Sequence, residues 1–161
     1  MIRFMTHKNI LILHDIRSAE NVGAIFRTAD AAGISKIILS GYTPLPIDRF
    51  GRERKDVAKT ALGAQKSVSW EKSEDIISTL KDLKRDDFQI ISIEQSEKST
   101  DYKKVSLKDK NVFVIGNEVL GIEKSILERS DVIAEIPMKG EKESLNVSVA
   151  AGVALFRMLE I

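Results

Sequence analysis

Short runs of wholly apolar residues, each bounded by polar neighbours and most of them followed by a segment of helical periodicity, recur along this chain and restrict it to one class of fold. Asn9 to Asp15 (NILILHD) is the first of these runs and reads as a buried strand. Ser18 then offers a helix N-cap, and Val22, Ile25, Phe26 and Ala29 follow at helical spacing up to Gly33, which suits a C-cap. Lys36 to Gly41 is a second strand and Val68 to Trp70 a short third. Glu74 to Arg85 is a helix with Ile76, Ile77, Leu80 and Leu83 on one face. Phe88 to Glu94, Asn111 to Gly116 and Asp131 to Met138 supply three more strands. Gly121 to Arg129 and Leu145 to Leu159 are read as helices, and Ser96 to Lys104 as a polar surface connection. Strands separated by helices imply an α/β fold, a mainly parallel sheet with helices on both faces. At 161 residues the chain fits a single domain spanning 1–161.

Composition removes several classes of function. The chain has no cysteine, so thiolate nucleophiles, thiolate metal sites and disulfides are excluded. His7 and His14 are its only histidines and match no zinc spacing, so no metal is expected. The N-terminal stretch MIRFMTHKN has no signal-peptide core, and no segment approaches the roughly 18 apolar residues of a membrane span. A cytoplasmic protein is expected. With a net charge of +1, any contact with nucleic acid must come from a local patch. The stretch Arg49 to Lys59 (RFGRERKDVAK) sets Arg49, Arg52, Arg54, Lys55 and Lys59 against Glu53 and Asp56; judged alone, it is a solvated loop leading into a short helix.

Ligands of such sheets bind beyond the carboxyl ends of the strands. Gly116, Asn117 and Glu118 follow one strand, Met138 to Gly140 another, and Glu94 and Gln95 a third. Backbone groups there can hydrogen-bond a flat heteroaromatic ring while Ile136, Met138 and Leu145 cover its faces, as a nucleoside-type cofactor requires. Neither a G-x-G-x-x-G turn nor a Walker A sequence is present to hold a phosphate-rich one. On the first helix Arg27 lies just outside the apolar stripe with Gly23 one turn before it, and a glycine there leaves room for a phosphate or ribose beside the arginine. Each residue also has a plain structural reading. Asn21 and Ser144 can act as caps, Glu118 can favour the N-terminus of the helix that follows it, His14 can be a satisfied strand histidine, and Tyr42 and Trp70 can be packing residues.

Taken together, Asn21-x-Gly23-x-x-x-Arg27-x-Ala29-x-x-x-Gly33, Gly116-Asn117-Glu118-x-x-Gly121, and Ile136-Pro137-Met138-x-Gly140 with Ser144-Leu145-Asn146-Val147-Ser148 closely resemble, in order and separation, the three motifs of the SpoU/TrmH family of RNA ribose 2′-O-methyltransferases. The resemblance runs from about Asn9 to the C-terminus and implies the SPOUT fold, with a deep C-terminal trefoil knot, which periodicity alone would not suggest. It further implies S-adenosylmethionine as cofactor, tRNA or rRNA as substrate, and a homodimer with its site near the subunit interface. On these residues it implies a cofactor site of Gly116, Ile136, Leu145 and Met138, to which Glu94 is added from its place after a strand. Arg27 would be the principal catalytic residue, Asn21 would order it, and Glu118, Ser144 and Asn146 would shape the site. The small residues Ala150, Ala151, Gly152 and Ala154 would allow a partner to pack closely. No RNA-binding extension is read ahead of the first strand, so Arg27 together with Arg49, Arg52, Arg54, Lys55 and Lys59 is expected to contact RNA. Two alternatives remain: an inactive knotted RNA-binding protein, which would need a damaged motif, and a nucleotide-binding module acting on a small molecule, which would have no use for Arg27 beside Asn21 and Gly23.

Overall fold

The computed structural model describes residues 7–161. Met1 to Thr6, on which the N-terminal reading partly rests, lie outside the described residues. The sheet comprises β1 (Lys8–His14), β2 (Lys36–Ser40), β3 (Trp70–Ser73), β4 (Gln89–Ile93), β5 (Thr100–Asp101), β6 (Lys110–Ile115) and β7 (Val132–Glu135). All pairings between these strands are parallel, in the order β3-β2-β1-β6-β4-β7-β5. The helices are α1 (Ala19–Ala31), α2 (Lys55–Ala61), α3 (Ala64–Ser67), α4 (Ile76–Arg85), α5 (Lys124–Leu127) and α6 (Val147–Met158).

Alternation along each strand divides the core into two layers. Leu11, Leu13, Leu39, Phe113 and Ile115 face one side, where they meet Val22, Ile25 and Phe26 of α1, Val57 of α2, and Ala151, Ala154 and Leu155 of α6. Ile10, Ile12, Ile38, Val112 and Val114 face the other, against Leu80 of α4 and Ile126 of α5. Burial on both faces is why the strands read as unbroken apolar runs. Each fully buried side chain of this size contributes about 1.5–3 kcal/mol.

Several elements depart from expectation. The third strand begins only at Trp70, because the unforeseen α3 occupies Ala64–Ser67 and Val68 is its C-cap. The seventh ends at Glu135, two residues before Pro137. The helix expected over Gly121 to Arg129 is the single turn α5; Ile122 precedes it, with its N–H donated to Glu94 Oε2 at 2.9 Å, and Glu123 is extended. The connection expected from Ser96 to Lys104 carries β5 and a 3-10 turn at Tyr102–Lys104.

The chain leaves β1 for β2 and β3 on one side, crosses to β4, and later inserts β6 between β1 and β4. The carboxyl ends of β4, β6 and β7 therefore open side by side, the arrangement that creates ligand crevices in parallel sheets.

Candidate active site

A cavity of about 450 Å³ lies at these three strand ends, within the range of small-molecule sites. Ile93, Glu94 and Gln95 enter it from β4, the segment Ile115 to Ile122 from β6, and Ile136 and Met138 from β7. Glu143, Ser144, Leu145, Val147 and Ala150 close it from the connection into α6. All five residues expected to bind a cofactor, Glu94, Gly116, Ile136, Met138 and Leu145, thus line one cavity. The connection before α6 is tied over it by Gln95 Nε2, which donates to the Glu143 carbonyl at 2.6 Å.

Two glycines fix the shape of the floor. A Cβ on Gly116 would lie 2.6 Å from Ile122 Cγ1 and 2.7 Å from the Gly121 carbonyl oxygen. Gly121 has φ 71°, and a Cβ there would lie 3.1 Å from Glu94 Cδ. Between them the turn is closed by reciprocal backbone hydrogen bonds of Asn117 and Gly121, at 3.2 and 3.0 Å, and by Asn117 Oδ1, which accepts from Val119 N–H at 2.8 Å and Leu120 N–H at 2.7 Å.

Among the described residues, the lining includes Glu94, Glu118 and Glu143 and no lysine, arginine or histidine. Apolar walls of Ile136, Met138 and Leu145 beneath a rim of this charge suit a flat heteroaromatic ligand that carries positive charge, and oppose a polyphosphate.

On the rim, the three motif segments meet through side chains. Glu118 accepts from the N–H groups of Arg17 (2.9 Å to Oε2) and Ser18 (3.2 Å to Oε1), and from Asn21 Nδ2 (3.1 Å). Asn146 Nδ2 donates in turn to Asn21 Oδ1 at 3.3 Å. Glu118 therefore sits at the N-terminus of α1, not of the helix that follows it, where unpaired N–H groups and the helix dipole favour negative charge. Burial raises the Glu118 pKa, but the N–H donors of Arg17, of Glu118 itself, of Asn21 and of Ser18 together outweigh it and hold the carboxyl below the usual glutamate range. Because the folded-state pKa is depressed, the stabilisation is present above the unfolded value, near pH 4, and is lost as pH falls through the folded value. Glu118→Gln is expected to cost about 1–2 kcal/mol near neutrality and to flatten the acid limb of the stability curve. Urea midpoints measured from pH 7 down to pH 3 check this; parallel curves for the two proteins would remove Glu118 from the acid response.

Of the other sequence readings, some hold and some are corrected. Ser18 caps α1 as expected, its side chain accepting from Asn21 N–H, so the capping reading of Asn21 does not hold. Asn146, not Ser144, caps α6, accepting from Ser148 and Val149 N–H, while Ser144 lines the cavity mouth. His14 is satisfied structurally, with Nδ1 2.8 Å from Ser40 Oγ. Trp70 packs on the core, but Tyr42 does not: it is 57% exposed and its hydroxyl accepts from Asn117 Nδ2 at 2.7 Å. Tyr42 is the rim residue that sequence reasoning passed over, its one signal being a place directly after β2.

Gly23 is buried, and it faces α2 rather than a ligand. A Cβ there would lie 2.9 Å from Ala61 N and closer still to Thr60 Oγ1 and the Val57 carbonyl. Arg27 is exposed and lines a separate depression with Ala24, Thr28, Lys59, Thr60 and Phe156. Within one chain it does not join the cavity. On α6, Ala151 and Ala154 are buried in the chain's own core and Gly152 packs near Thr28, so outward contact falls to Val149 and Val153. In the basic stretch, Arg54 is engaged by Asp56, Arg52 by Asp48 and, more loosely, Lys59 by Glu20.

Residues 8–156 match the model of the SpoU rRNA methylase family. The chain is 36% identical over 147 residues to a 23S rRNA (guanosine-2′-O-)-methyltransferase RlmB of Xylella fastidiosa, an alignment that covers 91% of this chain and 56% of that protein. It is 33% identical over 150 residues to a tRNA (guanosine(18)-2′-O)-methyltransferase of Aquifex aeolicus, covering 92% and 68% respectively. Among solved structures it superposes on the A. aeolicus TrmH/SpoU tRNA modifying enzyme with TM-score 0.83 at 28% identity, over 97% of this chain and 77% of that one. It also superposes on an AdoMet-bound rRNA methyltransferase of Sinorhizobium meliloti with TM-score 0.81 at 26% identity, over 95% and 56%. The chain thus spans little more than half the length of the Xylella relative.

Proposed function

The chain belongs to the SpoU rRNA methylase family, and from that premise we propose that it transfers a methyl group from S-adenosylmethionine to a ribose 2′-hydroxyl of tRNA or rRNA. The observation that carries this reading is the hydrogen-bonded side-chain series Asn146–Asn21–Glu118, which joins all three motifs at the rim of an acidic, apolar-walled cavity. Residues 1–161 act as one methyltransferase domain in this reading. It includes the trefoil knot of the family, a homodimer, and a cytoplasmic location shared with the RNA. None of the described helices is long and apolar enough to cross a membrane.

When bound, S-adenosylmethionine supplies an electrophilic methyl on a positively charged sulfur. Ile136, Met138 and Leu145, with the backbone at Gly116, would hold its adenine, and the carboxylates of Glu94, Glu118 and Glu143 would favour its positive charge. Glu94 also fixes the turn, since its two oxygens accept from Ile122 N–H and Gln95 N–H. Asn21, Glu118 and Asn146, already bonded to one another, present a pre-organised rim to the ribose, with Ser144 beside them. Such fixed polar groups lower the cost of aligning hydroxyl and methyl.

Arg27 of the partner subunit completes the site. Its guanidinium is charged at any working pH and is a poor proton acceptor, so its role is to hold the phosphate next to the target ribose and polarise the 2′-hydroxyl. The exposed Val149 and Val153 of α6 and the depression around Arg27 supply contact surface for the second copy.

Incubation with S-adenosylmethionine labelled on the methyl group and total cellular RNA is expected to yield one dominant 2′-O-methylated nucleotide. Calorimetry is expected to detect S-adenosylmethionine, but neither ATP nor NAD, at the cavity. Binding of the nucleotides in its place, or label appearing on a base, would reject the reading.

A further inference from the structure

Between β2 and α2, Pro46 to Arg54 fold into a small hairpin. Ile47 bridges Glu53 in antiparallel fashion, Arg54 N–H donates to the Pro46 carbonyl at 2.9 Å, and Asp48 N–H to the Arg52 carbonyl at 2.8 Å. Asp48 locks the tip: Oδ1 accepts from Phe50 N–H at 2.8 Å and Arg52 N–H at 3.0 Å, and Oδ2 from Arg52 Nε at 2.9 Å. Gly51, at φ 76°, makes the turn that this closure requires.

The locked tip presents an aromatic ring to solvent. Phe50 is 66% exposed, and the guanidinium carbons of Arg49 and Arg52 stand 4.7 and 5.0 Å from its ring centroid. A lone exposed apolar residue is ordinary. Here, however, the ring is held on a rigid turn and flanked by two guanidinium groups, which together offer π surface and positive charge at one point. Unpaired RNA bases are bound by this chemistry, stacking on aromatic faces or guanidinium planes while the cations meet adjacent phosphates. A turn ordered before binding also avoids the entropy cost of ordering it on binding. The same connection reaches the cavity rim through Tyr42 and its hydrogen bond with Asn117.

We propose that Phe50, flanked by Arg49 and Arg52, is a stacking platform for an unpaired base of the RNA substrate. The proposal rests on the RNA reading above and adds that the bound segment is single-stranded at this point. A single stacked base carries enough energy to make Phe50→Ala weaken single-stranded RNA binding by about five- to hundredfold. Since the ring has no charge, the salt dependence should keep its slope, whereas Arg49→Gln should reduce that slope by roughly 0.7, the share of one phosphate no longer neutralised; Arg52 is left in place because its Nε is held by Asp48.

The test uses single-stranded RNA oligonucleotides carrying 2-aminopurine and the same sequences as perfect duplexes, titrated without cofactor at several salt concentrations. Phe50→Trp should restore affinity and quench the probe, and Phe50→Ala should leave duplex affinity unchanged. If Phe50→Ala binds single strands as the parent does, or loses duplex affinity equally, the platform is overturned while RNA binding by the parent still stands. A parent protein that binds no RNA would overturn both readings.

Discussion

Conversion of Arg27 to lysine is expected to reduce methyl transfer at least about a hundredfold while leaving calorimetric binding of S-adenosylmethionine within about twofold of the parent, because Arg27 is absent from the cavity lining and lies in the depression beside Thr28 and Lys59. Lysine keeps the charge but loses the planar fork that holds a phosphate in two directions at once, so charge alone should not rescue activity. The location of Arg27 makes a second demand. If it acts across a dimer, two inactive proteins should complement each other: one with Arg27→Ala, the other with Leu145→Arg, which places a cation where a cationic ligand must sit. Random mixing yields half heterodimers, each with one intact site of two, so about a quarter of parental activity should return on mixing. Recovery of full activity by Arg27→Lys removes Arg27 from the mechanism, and an inactive mixture of subunits that do exchange removes the arrangement across the dimer.

The strands were legible because they are buried on both faces: Ile10 to Leu13 has no polar side to hide its position. The cavity was legible for a related reason. Residues after β4, β6 and β7 converge wherever parallel strands end together, so Glu94, Gly116 and Met138 could be grouped without knowing their contacts. Side-chain convergence across distant segments was not legible in residue roles. Nothing local to Asn21 announces Glu118, 97 residues away, or Asn146, 125 away, and Asn21 and Glu118 each have a reading at a helix N-terminus that is locally sufficient. Strand β5 escaped notice because Thr100 and Asp101 pair at a sheet edge with only two residues and no apolar pattern. Tyr42 was misjudged because its exposure depends on how the turn after Ser40 closes against Asp15, whose Oδ1 accepts Tyr42 N–H at 3.1 Å. Gly23 illustrates the general difficulty: a glycine within a helix admits either a ligand or another helix, and which of these is decided by α2, far along the chain at Lys55–Ala61.

That ambiguity yields the second large effect. Gly23→Ala should gain up to about 1 kcal/mol of intrinsic helix propensity. Against this, the new Cβ would lie 2.9 Å from Ala61 N and nearer to the Val57 carbonyl, both backbone atoms of α2 that can retreat only if the helices part. Overpacking of this kind costs about 3 kcal/mol or more where backbone must move. The net loss should be about 2–3 kcal/mol, a fall in thermal midpoint of roughly 5–10 °C for a chain of this length. Removing the Thr60 side-chain hydroxyl in the same protein should recover only part of the loss, since the Val57 carbonyl remains, and Thr60 Oγ1 also holds α2 to α1 by donating to the Glu20 carbonyl at 2.8 Å. A glycine kept for ligand approach would behave in the opposite way, with Gly23→Ala slightly more stable than the parent and deficient only in RNA binding or methyl transfer. Thermal unfolding beside an activity measurement separates the two: a midpoint equal to or above that of the parent would restore the reading of Gly23 as space for substrate, and a depressed midpoint assigns it to the α1–α2 contact that positions Arg27 one turn away.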